Sequence, residues 1–249
     1  MKYLLRLSYL GSAFSGFQVQ RGRTENTVQG ALCCAARSLF GVECKVSGCS
    51  RTDSGVHALE YYATLEAESE TVISPEKLPR ALGAFLPPEI SVFSAEEVDG
   101  GYSVRRHVLG KEYEDLILNS PVPSPFFVGR AWRVPHPLDV EKMSAAAKNF
   151  IGSHDFRAFM ASGSDIKDTV RTVTKCEVLR DGDFVKINVA ADGFLYNMVR
   201  IIVGTLVEVS EGKIAPSDVA EIILSKNRKN AGRTAPPGGL YLKEVSLDR

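Results

Sequence analysis

Hydrophobic residues recur along the chain at two spacings, and each spacing predicts one kind of element. Strict alternation, as at Tyr3, Leu5, Leu7 and Tyr9, is typical of a strand with one buried face. Spacings of three and four, as in the segment after Thr27, are typical of a helix. The alternating segments predict strands over 2–9, 42–47, 58–66, 90–98, 111–118, 172–179, 184–190 and 240–246. The helical segments predict helices over 28–40, 74–86, 139–150, 194–209 and 216–225.

The order of these elements predicts the fold class. Strands and helices are mixed without a strict alternation, which favours an α+β fold with a largely antiparallel sheet. Asp181-Gly182 between two predicted strands indicates a hairpin. The elements of 105–249 follow an order similar to those of 1–104, so we predict two similar halves with these bounds.

Composition narrows the class of protein. The 249 residues are 44% hydrophobic, enough for a large core, and carry 30 basic and 30 acidic side chains. The zero net charge excludes a uniformly basic protein that coats nucleic acid, but it does not exclude a local basic patch. The five cysteines include no CxxC, and we expect neither a zinc site nor a disulfide framework. No signal peptide or apolar run of membrane length is evident, which favours the cytoplasm.

The charges are unevenly distributed along the neutral chain. Residues 60–99 hold nine acids and two bases, whereas 225–233 hold four bases and no acid. The sequence therefore predicts basic surfaces that a partner with phosphates could use.

The loop 48–57 concentrates polar chemistry between two predicted strands. It holds the carboxylate of Asp53, the guanidinium of Arg51, three hydroxyl groups and the imidazole of His57. One interpretation is an ordinary turn, since Asp-Ser-Gly is common turn chemistry. The other interpretation is a functional site that the two flanking strands hold in place. The composition of the loop leaves both open.

Arg200 and Tyr113 are two further candidates in the second half. Arg200 is the only charged residue of the apolar segment 193–207, and a buried guanidinium needs an anion. It either forms a structural ion pair or keeps a working carboxylate ionised. Tyr113 is either a core residue or an aromatic platform in a cleft.

Several motifs in order resemble one family over essentially the whole chain. Arg51-Thr52-Asp53-Ser54-Gly55-Val56-His57 resembles the G-R-T-D-A-G-V-H motif of the tRNA pseudouridine synthase A family. The other matching strings are 9–18 with 27–29, 152–156, 198–204 and 235–242. The resemblance implies two α+β halves with mainly antiparallel sheets around a basic cleft, and a homodimer.

The resemblance also implies an activity. Similar enzymes isomerise uridine to pseudouridine at positions 38, 39 and 40 of the tRNA anticodon stem-loop. They use no cofactor, because no electrons, water or phosphate are exchanged. The sequence leaves open whether the aspartate attacks the sugar or removes a proton from it.

Each family role falls on one residue of this chain. Asp53 matches the catalytic aspartate, and Arg200 matches the arginine that pairs with it. Tyr113 matches the tyrosine that stacks on the base and helps at the proton step. Arg51 matches the residue that fills the space of the flipped uridine, and Leu240 would lie under the base. For His57, phosphate contact and support of the loop are both compatible with the motif.

The chain departs from the family pattern at four positions, which are Leu10, Ser50, Ser54 and Asp115. Asp115 stands where a second aromatic is expected two residues after Tyr113. None of these changes removes a catalytic group, so they bear on tRNA contacts. A metal site at His154-Asp155 is not expected in a chain with only four histidines.

Three other functions compete with this one. A synthase with other RNA target positions is the nearest alternative. A non-catalytic RNA-binding module on the same fold predicts loss of Asp53, Arg200 or Tyr113, and all three are present. A phosphotransferase using Asp53 would need acids nearby, but 45–59 contains no other acid and no P-loop occurs.

Overall fold

The computed structural model of the protein describes residues 1–20, 26–69, 71–163 and 166–248. The chain forms two compact units, the first made of Met1–Leu109 with Leu242–Arg249 and the second of Gly110–Tyr241. The strands are β1 (Lys2–Tyr9), β2 (Cys44–Gly48), β3 (His57–Ala67), β4 (Ile90–Glu97), β5 (Val108–Leu118), β6 (Trp132–Arg133), β7 (Gly152–Asp155), β8 (Val170–Asp181), β9 (Phe184–Ala191) and β10 (Leu240–Leu247). The α-helices are α1 (Val28–Phe40), α2 (Leu78–Gly83), α3 (Val140–Ala147), α4 (Met198–Ser210) and α5 (Asp218–Ser225).

The first unit is built on an antiparallel sheet. Strand β1 lies between β4 and β3, with Leu5 opposite Ala63, and β2 also pairs with β3. Helix α1 begins as predicted, because the Thr27 side chain accepts a hydrogen bond from the amide of Gly30. It ends at Gly41, whose positive φ of 71° suits glycine. The core residues of this unit that are fully buried include Leu5, Leu7, Leu32, Leu65 and Leu82.

The second unit repeats the combination of an antiparallel sheet and helices. Its strands follow the order β5-β9-β8-β7, and the short β6 pairs in parallel with β5. The predicted turn at Gly182 joins β8 to β9, with a positive φ of 58°. Its fully buried core includes Ile117, Phe150, Phe156, Phe159 and Ile202. The predicted α+β class with mainly antiparallel strands is confirmed.

One predicted helix starts later than expected, and two short strands were not predicted. The helix predicted over 194–209 begins only at Met198, because Asn197 has a left-handed φ of 59° that interrupts a helix. Strands β6 and β7 were not predicted, since two and four residues are too few to show a period. Among the described residues no helix has the length and hydropathy needed to cross a membrane.

Candidate active site

The loop that carries Asp53 connects β2 to β3 and is fixed by contacts with the segment 9–17. The Thr52 hydroxyl lies 2.8 Å from the hydroxyl of Tyr9, and the Thr52 carbonyl accepts a hydrogen bond from Phe17. The amide of Gly55 donates to the carbonyl of Phe14. The loop thus contains a turn, in which the amide of Val56 donates to the carbonyl of Asp53, and the contacts with the segment 9–17 hold this turn in place.

Two glycines explain why the segment 9–17 can approach the loop so closely. A Cβ on Gly11 would collide with the carbonyl of Val56, and a Cβ on Gly16 would lie 2.7 Å from the carbonyl oxygen of Thr52. Gly16 also has a positive φ of 94°, which other residues rarely adopt. Gly11 and Gly16 are thus needed for the segment 9–17 to pack against the Asp53 loop.

The three candidate side chains of this loop differ in exposure. Asp53 is half-buried, Arg51 is exposed, and His57 is fully buried at the start of β3. The Nδ1 atom of His57 accepts a hydrogen bond of 3.0 Å from the amide of Gly11. Because a fully buried imidazole has no surface for a phosphate, this geometry favours support of the loop over phosphate contact.

Tyr113 lies in the second unit, on the buried face of β5. It is opposite Val189 of β9, and its ring packs edge-on against Phe194 with 5.1 Å between centroids. Its neighbour Glu112 points the other way and pairs with Lys175 at 3.3 Å. The alternation predicted for this strand is therefore correct, with Tyr113 and Asp115 on the same face.

Arg200 is half-buried on α4, although ten of the thirteen residues of this helix are buried. Its Nε atom donates to the carbonyl oxygen of Ala235 at 2.7 Å, and its Nη1 atom donates to Asn197 Oδ1 at 2.7 Å. The amide of Ala235 donates in return to the carbonyl of Arg200. These bonds hold the guanidinium in one orientation.

Leu240 is buried and follows a tight turn formed by 237–239. Gly239 lies against β5, where a Cβ would be 2.9 Å from the carbonyl oxygen of Leu116. The Tyr241 hydroxyl donates to the carbonyl of Arg130 at 2.6 Å. The motif 235–242 therefore joins α4 to β5 inside the second unit and brings Leu240 into the same unit as Arg200 and Tyr113.

Asp115 was noticed in the sequence only as a departure from the family pattern. Among the described residues it is the one Asp, Glu, Lys or Arg that is buried, and neither carboxyl oxygen has a hydrogen-bond partner. Burial raises the pKa of Asp115 to about 7, while the charge of Arg200 opposes this rise. Nothing in the hydrophobic pattern distinguishes such a residue from an exposed aspartate on the strand.

The remaining candidates have structural roles. Asp155 accepts hydrogen bonds from the hydroxyl of Thr169 and the amide of Arg157 and pairs with Lys226 at 3.0 Å. His154 contacts the carbonyl of Ile151 through Nε2. Within the described part of the chain, no group of three or more metal-binding side chains is assembled.

Part of the basic cluster at 226–233 is used inside the protein. Arg228 donates to the carbonyl of Gly232 and to the hydroxyl of Thr234. Arg233 pairs with Glu211 and lies over the ring of Trp132. Arg228 and Arg233 are therefore already bonded to other groups of the protein.

Comparison with known proteins identifies the family. A family model described as tRNA pseudouridine synthase matches residues 7–105 and 146–248. A protein named tRNA pseudouridine synthase A from Acetivibrio thermocellus is 45% identical over 97% of both chains. One of the same name from Bacillus licheniformis is 42% identical over the full length of both chains. The protein named tRNA pseudouridine synthase A 2 from Clostridium tetani is 43% identical over 97% of this chain and 96% of its own.

These matches span both units and include the loop of Asp53 and the helix of Arg200. The predicted resemblance is confirmed, and with it the pseudouridine synthase fold class. This chain belongs to the tRNA pseudouridine synthase family, whose enzymes are isomerases that convert uridine to pseudouridine in tRNA.

Proposed function

We propose that this protein converts uridine to pseudouridine at positions 38, 39 and/or 40 of the tRNA anticodon stem-loop. The observation that supports it most is the half-buried carboxyl of Asp53 on a loop fixed by Tyr9, Phe14 and Phe17. A nucleophile or base must be held in one position relative to the sugar, and a braced loop provides this.

The reaction begins with exposure of the base. A uridine in a stem is stacked and cannot be reached, so it flips out of the helix. Arg51, exposed on the same loop as Asp53, fills the vacated space, where its planar guanidinium stacks on the neighbouring bases. The ring of Tyr113 and the side chain of Leu240 hold the flipped base.

Asp53 then acts on the ribose in its ionised form. It either attacks carbon 1′ or removes a proton from carbon 2′, and both routes need the carboxylate. Arg200 keeps Asp53 ionised, and His57 supports the loop. The uracil leaves carbon 1′, turns and rejoins through carbon 5, which loses a proton while nitrogen 1 gains one.

The competing proposal is a family member with other RNA target positions, and a mapping experiment separates the two. Purified protein is incubated with unmodified tRNA transcripts that carry uridine at 38, 39 or 40, and pseudouridine is located by base-specific chemistry and primer extension. We expect product within these three positions. Product only at other positions would support the competing proposal.

The Asp53→Asn variant tests the catalytic assignment in the same assay. The amide keeps the shape and removes the anion, so turnover should be lost while melting temperature and tRNA affinity stay close to the wild type. Tritium release from carbon-5-labelled uridine measures turnover. Asp183→Asn, at the exposed tip of the β8–β9 hairpin, is the matched control and should be fully active. Activity of Asp53→Asn within about tenfold of the wild type would exclude the nucleophile role.

The same resemblance leads us to infer a homodimer that works in the cytoplasm. Sedimentation of the purified protein tests the oligomeric state, and a species of 27.1 kDa at working concentrations would contradict the inference.

A further inference from the structure

Three apolar side chains of one loop in the second unit are held out into solvent. The β5–β6 loop, residues 119–131, exposes Val122, Phe126 and Val128 by 68%, 81% and 78%. Apolar residues that are exposed singly are common on protein surfaces, whereas several on one short loop indicate a binding surface. These side chains are therefore candidates for contact with a partner.

The β5–β6 loop is braced from inside the protein. The ring of Phe127 is half-buried and packs edge-on against Phe184, with 4.8 Å between the two centroids. The Nη2 atom of Arg133 donates to the carbonyl of Pro121 at 2.6 Å, which joins the two ends of the loop. Because the backbone is held in this way, the exposed ring of Phe126 can bind a partner with little further loss of conformational entropy.

The β5–β6 loop contacts the residues on both sides of Leu240. The Tyr241 hydroxyl donates to the carbonyl of Arg130 at 2.6 Å, and a Cβ on Gly238 would lie 3.1 Å from the carbonyl oxygen of Gly129. Leu240 is the residue that the proposed function places under the flipped base. The exposed loop and this part of the base site are thus neighbours within one unit.

The charges of the loop favour an anionic partner. No Asp or Glu occurs from 116 to 138, whereas this stretch carries Arg130 and Arg133. Arg130 is exposed, and it is its carbonyl group that Tyr241 binds. An exposed ring beside an exposed guanidinium suits single-stranded RNA, since the ring stacks on a base and the cation contacts a phosphate.

We propose that the β5–β6 loop binds the tRNA substrate, with Phe126 stacked on an unpaired base and Arg130 at a phosphate of the same strand. The unpaired bases nearest to a uridine at positions 38–40 are those of the anticodon loop. The contact is therefore assigned to the anticodon loop, and this choice of segment rests on the proposed function.

The affinity of variants at Phe126 tests the stacking contact. Dissociation constants for an unmodified tRNA transcript are measured for the wild type, Phe126→Ala and Phe126→Tyr. Phe126→Ala should raise the Kd by about tenfold, and Phe126→Tyr, which keeps the ring, should stay within about twofold of the wild type. Val72→Ala is the matched control, because Val72 is 79% exposed but lies in the acidic stretch 60–99, and its affinity should be unchanged. An unchanged affinity of Phe126→Ala would overturn the proposal.

The salt dependence of Arg130→Ala tests the phosphate contact. The log–log slope of affinity against salt should fall by about 0.7, while the melting temperature stays that of the wild type. An unchanged slope would exclude Arg130 from contact with a phosphate.

Two further measurements identify the partner and the segment. Sedimentation of Phe126→Ala should match the wild type, and a lower oligomeric state would show that the loop joins copies of this chain and overturn the proposal. The loss of affinity should persist with an isolated anticodon stem-loop, and a loss seen only with whole tRNA would overturn the assignment to the anticodon loop. If the wild type forms pseudouridine only at other positions, the proposed function fails, while the affinities for whole tRNA still decide whether Phe126 binds RNA.

Discussion

Two substitutions of Tyr113 can separate the stacking of its ring on the base from the part of its hydroxyl in proton transfer. In Tyr113→Phe the ring survives, so tRNA affinity should change little, while loss of the hydroxyl should slow isomerisation by about 10²–10⁴-fold. Tyr113→Ala should add a binding defect, since stacking contributes about 1–3 kcal/mol per base. Single-turnover rate and affinity are compared for both variants. If Phe performs like the wild type and only Ala fails, Tyr113 is a platform and the proton moves through another group.

Because burial raises the pKa of Asp115, we expect the free energy of unfolding to depend on pH. Its pKa is raised from the ordinary 3.8 to about 7, so between these values the folded protein keeps a proton that the unfolded chain releases. The stability that this group contributes is present at low pH and is lost as the pH rises towards 7. Asp115→Asn should therefore be more stable than the wild type at pH 7, by up to a few kcal/mol, and the difference should shrink towards pH 4. Denaturant unfolding at both pH values measures this, and a constant difference would contradict it.

At this scale the sequence identified residues by their chemistry but not by their surroundings. Asp53 could be selected because the sequence places it in a loop rich in polar groups. Arg200 could be selected because it is the only charge in an apolar segment. The burial of His57 and of Asp115 could not, because burial depends on Gly11 and Gly239, which are distant in sequence and close in space.

At the scale of elements, helix α4 packs closely against the backbone of residues 232–233. A Cβ on Gly204 would collide with the carbonyl of Arg233, and the hydroxyl of Thr205 accepts a hydrogen bond from the amide of Gly232. Gly204→Ala should thus destabilise the protein by about 1–3 kcal/mol, although alanine favours helices. Gly83→Ala at the end of α2 is the control, because a Cβ there would meet no atom within 4 Å beyond its chain neighbours and the backbone of its own helix. This change should be neutral or stabilising by up to about 1 kcal/mol. Thermal unfolding compares them, and equal shifts would contradict the close contact at Gly204.

The elements themselves were largely predictable, and their ends were predictable only where a local signal marks them. Thr27 and Gly41 marked α1 because a cap and a left-handed glycine act locally. The start of α4 depended on the backbone of Asn197, whose side chain binds Arg200, and no local pattern encodes that contact.

At the scale of the molecule, we expect tRNA affinity to depend steeply on salt despite the zero net charge. Counterion release gives a log–log slope of about −0.7 to −0.9 for each phosphate contacted. Lys229 is exposed, whereas Arg228 is bonded to the chain around it. Lys229→Ala should therefore reduce the slope without changing the melting temperature, and Arg228→Ala should lower the melting temperature. Affinity that is flat between low and moderate salt would contradict a surface that binds phosphates.

Most of β10 belongs to the first unit, and this has a consequence for the order of synthesis. Residues 242–249 belong to that unit, where the amide of Val245 donates to Glu60 and the amide of Asp248 donates to the carbonyl of His107. A ribosome makes residues 110–241 before these, so the second unit has its complete sequence while the first still lacks residues 242–249. We therefore expect the first unit, which carries Asp53, to gain these two contacts only after the whole of the second unit has been synthesised.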